Sequence, residues 1–547
     1  MPKRIVIIGG VAGGATAATR LRRLDERADI IMLEKDAYVS FANCGLPYYL
    51  GKEIALRDAL LMQTPEGLKS RYNIDARPNS EAVAIDTVKG QVRVAQKAGG
   101  AYTLHYDALV LCPGATPVML PVTEDARPRV FTLRNMQDTD QIHAAMEQKG
   151  VRDAVVIGGG FIGVELAENL VKRGLCVRLI EAAPQVLPPL DGDMARFALK
   201  ELEHNGVAVT LNAPVEDIAI VEGRPAVRCQ DGRRFTGDMI ICALGVRPAT
   251  GFLKGSGIAL GPKGHIMVNA RMQSNIPNIY AAGDAAQIDD FILRTPTAAA
   301  LAGPANRQAR VAADNIAGIP SAYGGAQGTA VARLFSKAFA CTGLTERALE
   351  TAGLAYHKII AYPYAHAAYY PGARQMAVKL LFHESGKIYG AQAAGADGVD
   401  KTVDTIATAM RLGAHAAQLG ELELCYAPPF SSVRGPANIL GMIADNVITG
   451  VTRLADERTL KSAPPNSHTL LDVRTSYEYR AGHLEGAVNI PLDTLRARLD
   501  ELDKSRAIIV YCQVGARAHL AQRILAQNGF DAKNLTGGYR WAAGGEE

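Results

Sequence analysis

The sequence predicts an α/β chain built from several packed units, and three observations carry that reading. The chain has 547 residues, several times the roughly 100 to 200 of one domain. A strand, glycine loop, helix and strand occur twice, about 150 residues apart. After about residue 450, short apolar strands and helices alternate afresh. Hydrophobic residues at 48% and charged residues at 21% suit globular units, and 54 glycines suit many tight turns.

Lysine and arginine number 59 against 55 aspartate and glutamate. With no long basic run or basic-aromatic stripe, the charge pattern argues against nucleic acid as a partner. No apolar stretch approaches the roughly 20 residues that span a bilayer, and Met1 to Arg4 leads straight into a strand without a signal-peptide core. The expectation is a soluble, cytoplasmic protein with no membrane partner. Eight cysteines without a CxxC pair fit neither a disulfide framework nor a zinc or iron-sulfur cage, so no metal is expected. Cys112, Cys176 and Cys242 lie in or beside apolar strand-like runs and read as small buried hydrophobes. Cys44 and Cys512 do not.

The first unit runs from an apolar strand at Arg4 to Ile8 through Gly9-Gly10-Val11-Ala12-Gly13-Gly14 and an alanine-rich helix to a strand ending at Glu34. Such a turn brings backbone N–H groups and a helix N-terminus to a pyrophosphate, and a carboxylate at the strand end can accept from a ribose. Val11 stands where the second glycine is usual. The second unit, Ala154 to Ile157, Gly158-Gly159-Gly160-Phe161-Ile162-Gly163, a helix, and Val177 to Glu181, matches GxGxxG completely. Two Rossmann-like dinucleotide-binding domains imply two nucleotides, most economically a hydride donor feeding a flavin. Glu181 favours a 2′-hydroxyl over a 2′-phosphate, hence NADH over NADPH.

At Ile279 to Ala285 a strand ends in Gly283-Asp284, beside the small residues Ala298 to Gly303. Together with Cys112-Pro113-Gly114-Ala115-Thr116 and Ala243-Leu244-Gly245-Val246-Arg247-Pro248, which look like crossovers between two nucleotide domains, these motifs resemble the pyridine nucleotide-disulfide reductase family over residues 1 to about 445. The resemblance implies an FAD-binding domain over 1–113 and 247–327, an NAD-binding domain over 114–246, and an α/β dimerisation domain over 328–448. It thus implies a homodimer whose partner completes each active site; an ordinary extra domain in a monomer is the alternative. For FAD it implies Gly9, Val11, Ala12, Gly13, Gly14, Glu34, Lys35, Asn43, Ala115, Thr116, Gly283, Asp284, Ala300 and Phe430. For NADH it implies Gly158, Gly160, Phe161, Ile162, Gly163, Glu181 and Gly245.

Cys44, in Ser40-Phe41-Ala42-Asn43-Cys44-Gly45-Leu46-Pro47-Tyr48-Tyr49, follows the first unit near a helix start, where a lowered thiol pKa would favour the nucleophilic thiolate. Family members that reduce glutathione or lipoamide use a CxxxxC pair; Tyr49 occupies the fifth position here, so that relay is excluded. Peroxide- and oxygen-reducing single-cysteine members carry a histidine in the first glycine loop, where this chain has Ala12. The segment resembles coenzyme A disulfide reductase instead. That likeness implies coenzyme A contacts from Thr16, Arg20, Arg23, Ser40, Asn43, Asn306, Arg71 and Arg434, with Arg22 read as solvated helix surface. His366 to Gly372 and Leu424 to Phe430 resemble stretches that reach across the dimer to the cysteine, and Tyr369 and Tyr426 are read as catalytic through hydroxyls that serve a leaving thiolate. Packing tyrosines are the alternative, and Tyr370 stays open.

Leu471-Asp472-Val473-Arg474, then Gly482 to Pro491, then Tyr511-Cys512-Gln513-Val514-Gly515-Ala516-Arg517-Ala518 resemble a rhodanese in order and spacing, implying a linker over 449–465 and a rhodanese domain over 466–547. Four residues separate Cys512 from Arg517, one fewer than in related cysteine phosphatases, which fits a sulfur-accepting cradle. Cys512 and Arg517 are the catalytic residues this implies, while Asp472 and His483 fix loops. The whole resembles coenzyme A disulfide reductase-rhodanese fusions, also described as NADH-dependent persulfide reductases. Expected partners are coenzyme A thiol derivatives and sulfane sulfur. Plain coenzyme A disulfide reduction, or a sulfur-relay carrier, are the alternatives.

Overall fold

A computed structural model describes residues 2–462, 464 and 467–545. Positions 463, 465 and 466, at the junction of the expected linker and rhodanese domain, lie outside the described residues, as do 1, 546 and 547. Two compact units emerge: Met1–Leu187 with Leu202–Gln327, and Pro188–Glu201 with Gly328–Glu547.

The first unit contains two parallel five-stranded sheets. One runs Ile279–Ala281, Ala108–Leu111, Arg4–Ile8, Asp29–Leu33 and Asp75–Arg77. The other runs Ala208–Thr210, Cys176–Ile180, Asp153–Ile157, Met239–Cys242 and Val130–Thr132. Helices Ala12–Leu24 and Phe161–Lys172 each follow the central strand of their sheet. The central strands read as continuous apolar runs because both faces of a covered parallel sheet are dry. The two expected crossovers meet: Ala115–Pro117 pairs antiparallel with Val246–Pro248.

Two expectations about this unit are corrected. Cys176 is exposed, because it opens its strand before burial begins. Arg22 is buried at 5% exposure rather than solvated. Its guanidinium donates to the carbonyls of Tyr72, Asp25, Glu26, Ala28 and Asn73, so five otherwise loose loop acceptors hold one cation.

In the second unit an antiparallel sheet runs Ala330–Leu334, Lys337–Gly343, Ile388–Gly395, Ala377–Phe382 and His357–Ala361, with helix Val399–Arg411 packed on its centre. Strand Ala377–Phe382 is buried throughout, Lys379 included. A buried ammonium must be paired, and Lys379 Nζ meets Asp191 at 2.9 Å, Asp193 at 2.8 Å, and Glu346. These three carboxylates lie close enough to hold a metal ion, but the cation among them is the lysine.

The last sheet is parallel, in the order Leu454–Ala455, Ala532–Leu535, Ala507–Tyr511, His468–Asp472 and Val488–Asn489. Leu454–Ala455 falls inside the segment expected as a linker and forms an edge strand there. This layer is tied to the antiparallel sheet: Thr536 Oγ1 accepts from Ile360 N at 2.7 Å. The single tryptophan, Trp541, is buried beneath the Arg196 guanidinium, 4.4 Å from its ring centre.

Candidate active site

The first glycine loop is shaped by close approach. Gly9 has φ +98°, and a Cβ there would lie 1.9 Å from the Cys112 carbonyl oxygen; on Gly14 it would lie 1.7 Å from the Gly9 oxygen. Only glycine lets strand, turn and helix meet so tightly. At the end of the next strand, Glu34 accepts from Gly10 N at 2.8 Å and from Asp36 N at 3.0 Å. Burial pushes this carboxyl up, and the two backbone bonds oppose it.

The loop forms one wall of a cavity of about 540 Å³, within the range typical of small-molecule sites. Gly9, Val11, Ala12, Gly13, Glu34, Lys35 and Asn43 line it. So do Ala115, Thr116, Gly283, Asp284 and Ala300. Gly14 lies beneath, serving the helix packing. A glycine loop at a helix N-terminus, a buried strand-end carboxylate and a second carboxylate at Gly283-Asp284 give a donor and acceptor set suited to a dinucleotide.

Two cysteines reach this cavity. Cys112 packs its sulfur under the loop, and burial pushes its thiol up to about 12. Cys44 is exposed, in the 3-10 turn Asn43–Gly45 that leads into helix Leu46–Leu50. The expectation that the helix start lowers this thiol is not met. Burial pushes it up, Glu165 adds to the rise, and Arg134 opposes them; a five-residue helix contributes little dipole against that.

The second glycine loop repeats the logic. Gly158 has φ +110° and abuts the Ala243 oxygen, and Gly163 abuts the Gly158 oxygen, while a Cβ on Gly160 would meet nothing within 4 Å. Gly160 thus presents bare backbone to open space, with Ile162 exposed beside it. Gly245 is exposed at φ +89°. Glu181 accepts from Gly159 N at 2.5 Å and from Ala183 N at 2.7 Å, the counterpart of Glu34.

Of the residues implied for coenzyme A, Thr16 hydrogen-bonds Asn306 across helices Ala12–Leu24 and Ala302–Ile316, and Arg20 bonds Asp314 at 2.7 Å on the same pair of helices. Arg23 lies over the Tyr72 ring. Ser40 holds a left-handed φ of +46° and donates its N–H to Gly10 O. Arg71 is exposed in the last turn of helix Pro65–Tyr72.

In the second unit the Tyr369 and Tyr426 hydroxyls are 3.2 Å apart, and that bond pushes the Tyr369 phenol up. Tyr370 instead sets its ring edge-on to His366. Phe430 is 72% exposed. Arg434 and both catalytic-candidate tyrosines line a cavity of about 680 Å³ that also touches Val514, Gly515 and Ala516.

Cys512 directly follows strand Ala507–Tyr511, and its sulfur accepts from Gly515 N at 3.2 Å. Gly515, at φ +101°, turns the chain into helix Ala516–Gln527. The first turn of helix Gly538–Ala542 braces the turn: Tyr539 N donates to Cys512 O and Arg540 N to Gln513 O. That approach needs Gly538, whose added Cβ would lie 2.4 Å from the Cys512 oxygen. Asp472 grips Arg474 with both oxygens, Arg474 reaches Gly482 O, and His483 stacks on Tyr479, so these residues hold loops.

Sequence reasoning missed three groups. Arg134 lines the first cavity and bonds Asp284 at 2.8 Å; Glu165 acts on Cys44 and accepts from Tyr48; Glu478 pairs with Arg517. Arg134 and Glu165 sit in no spaced motif, and the local signal at Glu478 is its capping box with Thr475, which marks a helix start and not its pairing with Arg517.

Comparison with known proteins agrees with this layout. Family models match as Pyridine nucleotide-disulphide oxidoreductase over residues 3–309, its dimerisation domain over 330–437, and Rhodanese-like domain over 456–543. A Staphylococcus aureus protein named coenzyme A disulfide reductase is 36% identical over 81% of this chain and 99% of its own length. One from Methanocaldococcus jannaschii named NADH oxidase is 35% identical over 80% and 97%. Among solved structures, reduced CoADR-RHD of Bacillus anthracis has a TM-score of 0.95 at 42% identity, covering 100% of this chain and 98% of that one. An NAD-dependent persulfide reductase from A. fulgidus has 0.90 at 32%, covering 98% and 99%. No helix among the described residues is long and apolar enough to cross a membrane.

Proposed function

The chain belongs to the pyridine nucleotide-disulphide oxidoreductase family, and from that premise we propose that it uses NADH to reduce sulfur-sulfur bonds of coenzyme A persulfide, polysulfide or coenzyme A disulfide at Cys44. The observation that carries this reading is that Cys44 is the exposed cysteine on the wall of the glycine-loop cavity, with Tyr49 where a second relay cysteine would stand. The relatives named for coenzyme A disulfide and persulfide reduction support the substrate class.

Gly9, Gly13, Glu34 and Asp284 would hold FAD, and Gly158, Gly160 and Glu181 the NADH. When bound, FAD supplies the two-electron link between NADH and sulfur. The Cys44 thiolate attacks the outer sulfur of a coenzyme A persulfide. A Cys44–sulfur bond forms, the original sulfur-sulfur bond breaks, and coenzyme A leaves as a thiolate that takes a proton. Two electrons and a proton then split the Cys44 persulfide, restoring the thiolate and releasing hydrosulfide. With coenzyme A disulfide, the same attack leaves coenzyme A joined to Cys44, and the same reduction releases it. Arg134 favours the thiolate electrostatically. In a homodimer, the Tyr369 and Tyr426 pair serves the cysteine of the second copy, stabilising the leaving thiolate. Thr16, Arg20 and Asn306, with Arg23, Ser40, Asn43, Arg71 and Arg434, carry the coenzyme A substrate.

Cys512 accepts sulfane sulfur and passes it on, which gives the fused rhodanese-like domain its role. The test compares NADH consumption with coenzyme A disulfide and with coenzyme A persulfide. Cys44→Ser abolishes both, and Cys512→Ser retains turnover on small persulfides. Full activity in Cys44→Ser overturns the reading.

A further inference from the structure

The loop from Cys512 to Arg517 contains one permanently charged side chain, Arg517. That cation is not free. Its two terminal nitrogens donate to the two oxygens of Glu478 at 2.8 and 2.6 Å, a fork-on-fork pair. Arg517 in turn is the leading cause holding the Glu478 carboxyl down at about 2, so the pair carries no net charge at any working pH.

The neighbouring basic side chains are held by other partners. Arg474 is locked onto buried Asp472 and takes the Gln513 side-chain oxygen at 3.1 Å. Arg540 bonds Gln375. His519, one turn into the helix, is pushed below its ordinary value by burial and Arg523, and it bonds Thr452. Within the Cys512–Arg517 loop, therefore, the one cation is ion-paired and stands beside N–H dipoles and an apolar Val514.

We propose that Glu478 sets the sulfur-donor class of Cys512: by neutralising Arg517 it selects singly charged persulfides over dianionic oxyanion donors such as thiosulfate. The assignment rests on the reading of Cys512 as a sulfur acceptor. Both transfers begin with the Cys512 thiolate attacking the outer sulfur and end with a Cys512 persulfide anion. From a persulfide the departing group is a thiolate with one negative charge; from thiosulfate it is sulfite, with two. The second transfer assembles three negative charges in the loop rather than two, and a neutralised arginine compensates them poorly.

Glu478 also closes a capping box with Thr475, accepting from Thr475 N at 3.0 Å and Thr475 Oγ1 at 2.9 Å. Glutamine serves the same box, so Glu478→Gln removes the charge and keeps the helix start. The full-length protein is assayed for thiocyanate formation with cyanide as acceptor, which returns Cys512 to its thiolate without NADH. The expected result is that wild type prefers cysteine persulfide, whose anion carries a net single charge. In Glu478→Gln the ratio of kcat/KM for thiosulfate to that for persulfide rises about tenfold, while Glu478→Asp stays near wild type. An unchanged ratio overturns the proposal. A second measurement needs no variant: wild-type thiosulfate use should depend weakly on ionic strength, and a steep fall with salt, the mark of an unscreened cation, overturns it too. If neither donor adds a sulfur atom to Cys512 by mass, the acceptor reading falls and the assignment with it; loading by both donors with an unchanged ratio overturns the assignment alone.

Discussion

The hydroxyls of Tyr369 and Tyr426 lie 3.2 Å apart although 57 residues separate them. Both side chains are exposed, at 75% and 47%, so the bond is not a by-product of core packing. It fixes two phenols as one donor unit on the surface of the α/β unit that matches a dimerisation domain.

Tyr369→Phe and Tyr426→Phe should each lower coenzyme A disulfide turnover by roughly tenfold to a hundredfold, with the double variant little worse than the poorer single, because groups acting as a unit are not additive. Melting temperatures should hardly move, since exposed substitutions alter stability by about 0.5 kcal/mol or less. Steady-state kinetics and thermal melts check both parts.

Gly9→Ala and Gly160→Ala should fail differently. The first sets a methyl group 1.9 Å from the Cys112 oxygen at φ +98°, costing stability by roughly 2 kcal/mol or more and weakening flavin retention. The second meets no protein atom within 4 Å, so the fold should survive and the KM for NADH should rise. Flavin absorbance after gel filtration, melts, and KM values separate the two.

Lys379→Met should destabilise the chain by roughly 3 to 5 kcal/mol near neutral pH by removing the cation from Asp191 and Asp193, while Glu346 keeps Lys358 and Arg458. Burial lowers the Lys379 pKa, and Asp193, Asp191 and Glu346 more than reverse it, so its net shift is upward. That contribution is complete below the unfolded lysine pKa and is lost as pH rises through the folded one. For Glu346 burial raises and Lys379 lowers, net downward, so its contribution holds above the unfolded carboxyl pKa and is lost as pH falls. Asp191 differs, since burial outweighs the lysine and raises it. The Glu346–Lys379 pair is thus fully formed between the unfolded carboxyl value of roughly 4 and the unfolded lysine value of roughly 10. Denaturation across pH should show the variant's deficit greatest in that window and shrinking in acid, where the carboxylates take up protons.

Glu181→Gln should narrow the preference for NADH over NADPH by about tenfold, because it removes the charge that repels a 2′-phosphate while keeping an acceptor for Gly159 N. The ratio of kcat/KM for the two nucleotides reads this directly.

Cys44 titration tests the electrostatics of its pocket. Burial and Glu165 hold the thiol above its ordinary value, so its thiolate fraction at neutral pH is small in flavin-free protein. Alkylation of Cys44 there should rise with pH to a midpoint above the roughly 8.5 of a free thiol. Glu165→Gln should move that midpoint down.

What the sequence alone determined is what neighbouring residues encode together. Both glycine loops were legible because a turn that tight needs glycine at Gly9, Gly14, Gly158 and Gly163, and Cys512 to Arg517 was legible because a cradle of that size has a fixed length. The tertiary structure decided what depends on a partner distant in the chain. Arg22 looked like solvated surface until loop carbonyls such as that of Tyr72, 50 residues on, closed around it. Nothing beside Lys379 in the chain signals its partners, since Asp191 and Asp193 come from 186 residues or more away. Arg517 was expected as a catalytic residue, and its pairing with Glu478 comes from 39 residues away. Local dihedral chemistry is written in short spacings, whereas the net charge of a site is a sum over whatever the topology folds beside it.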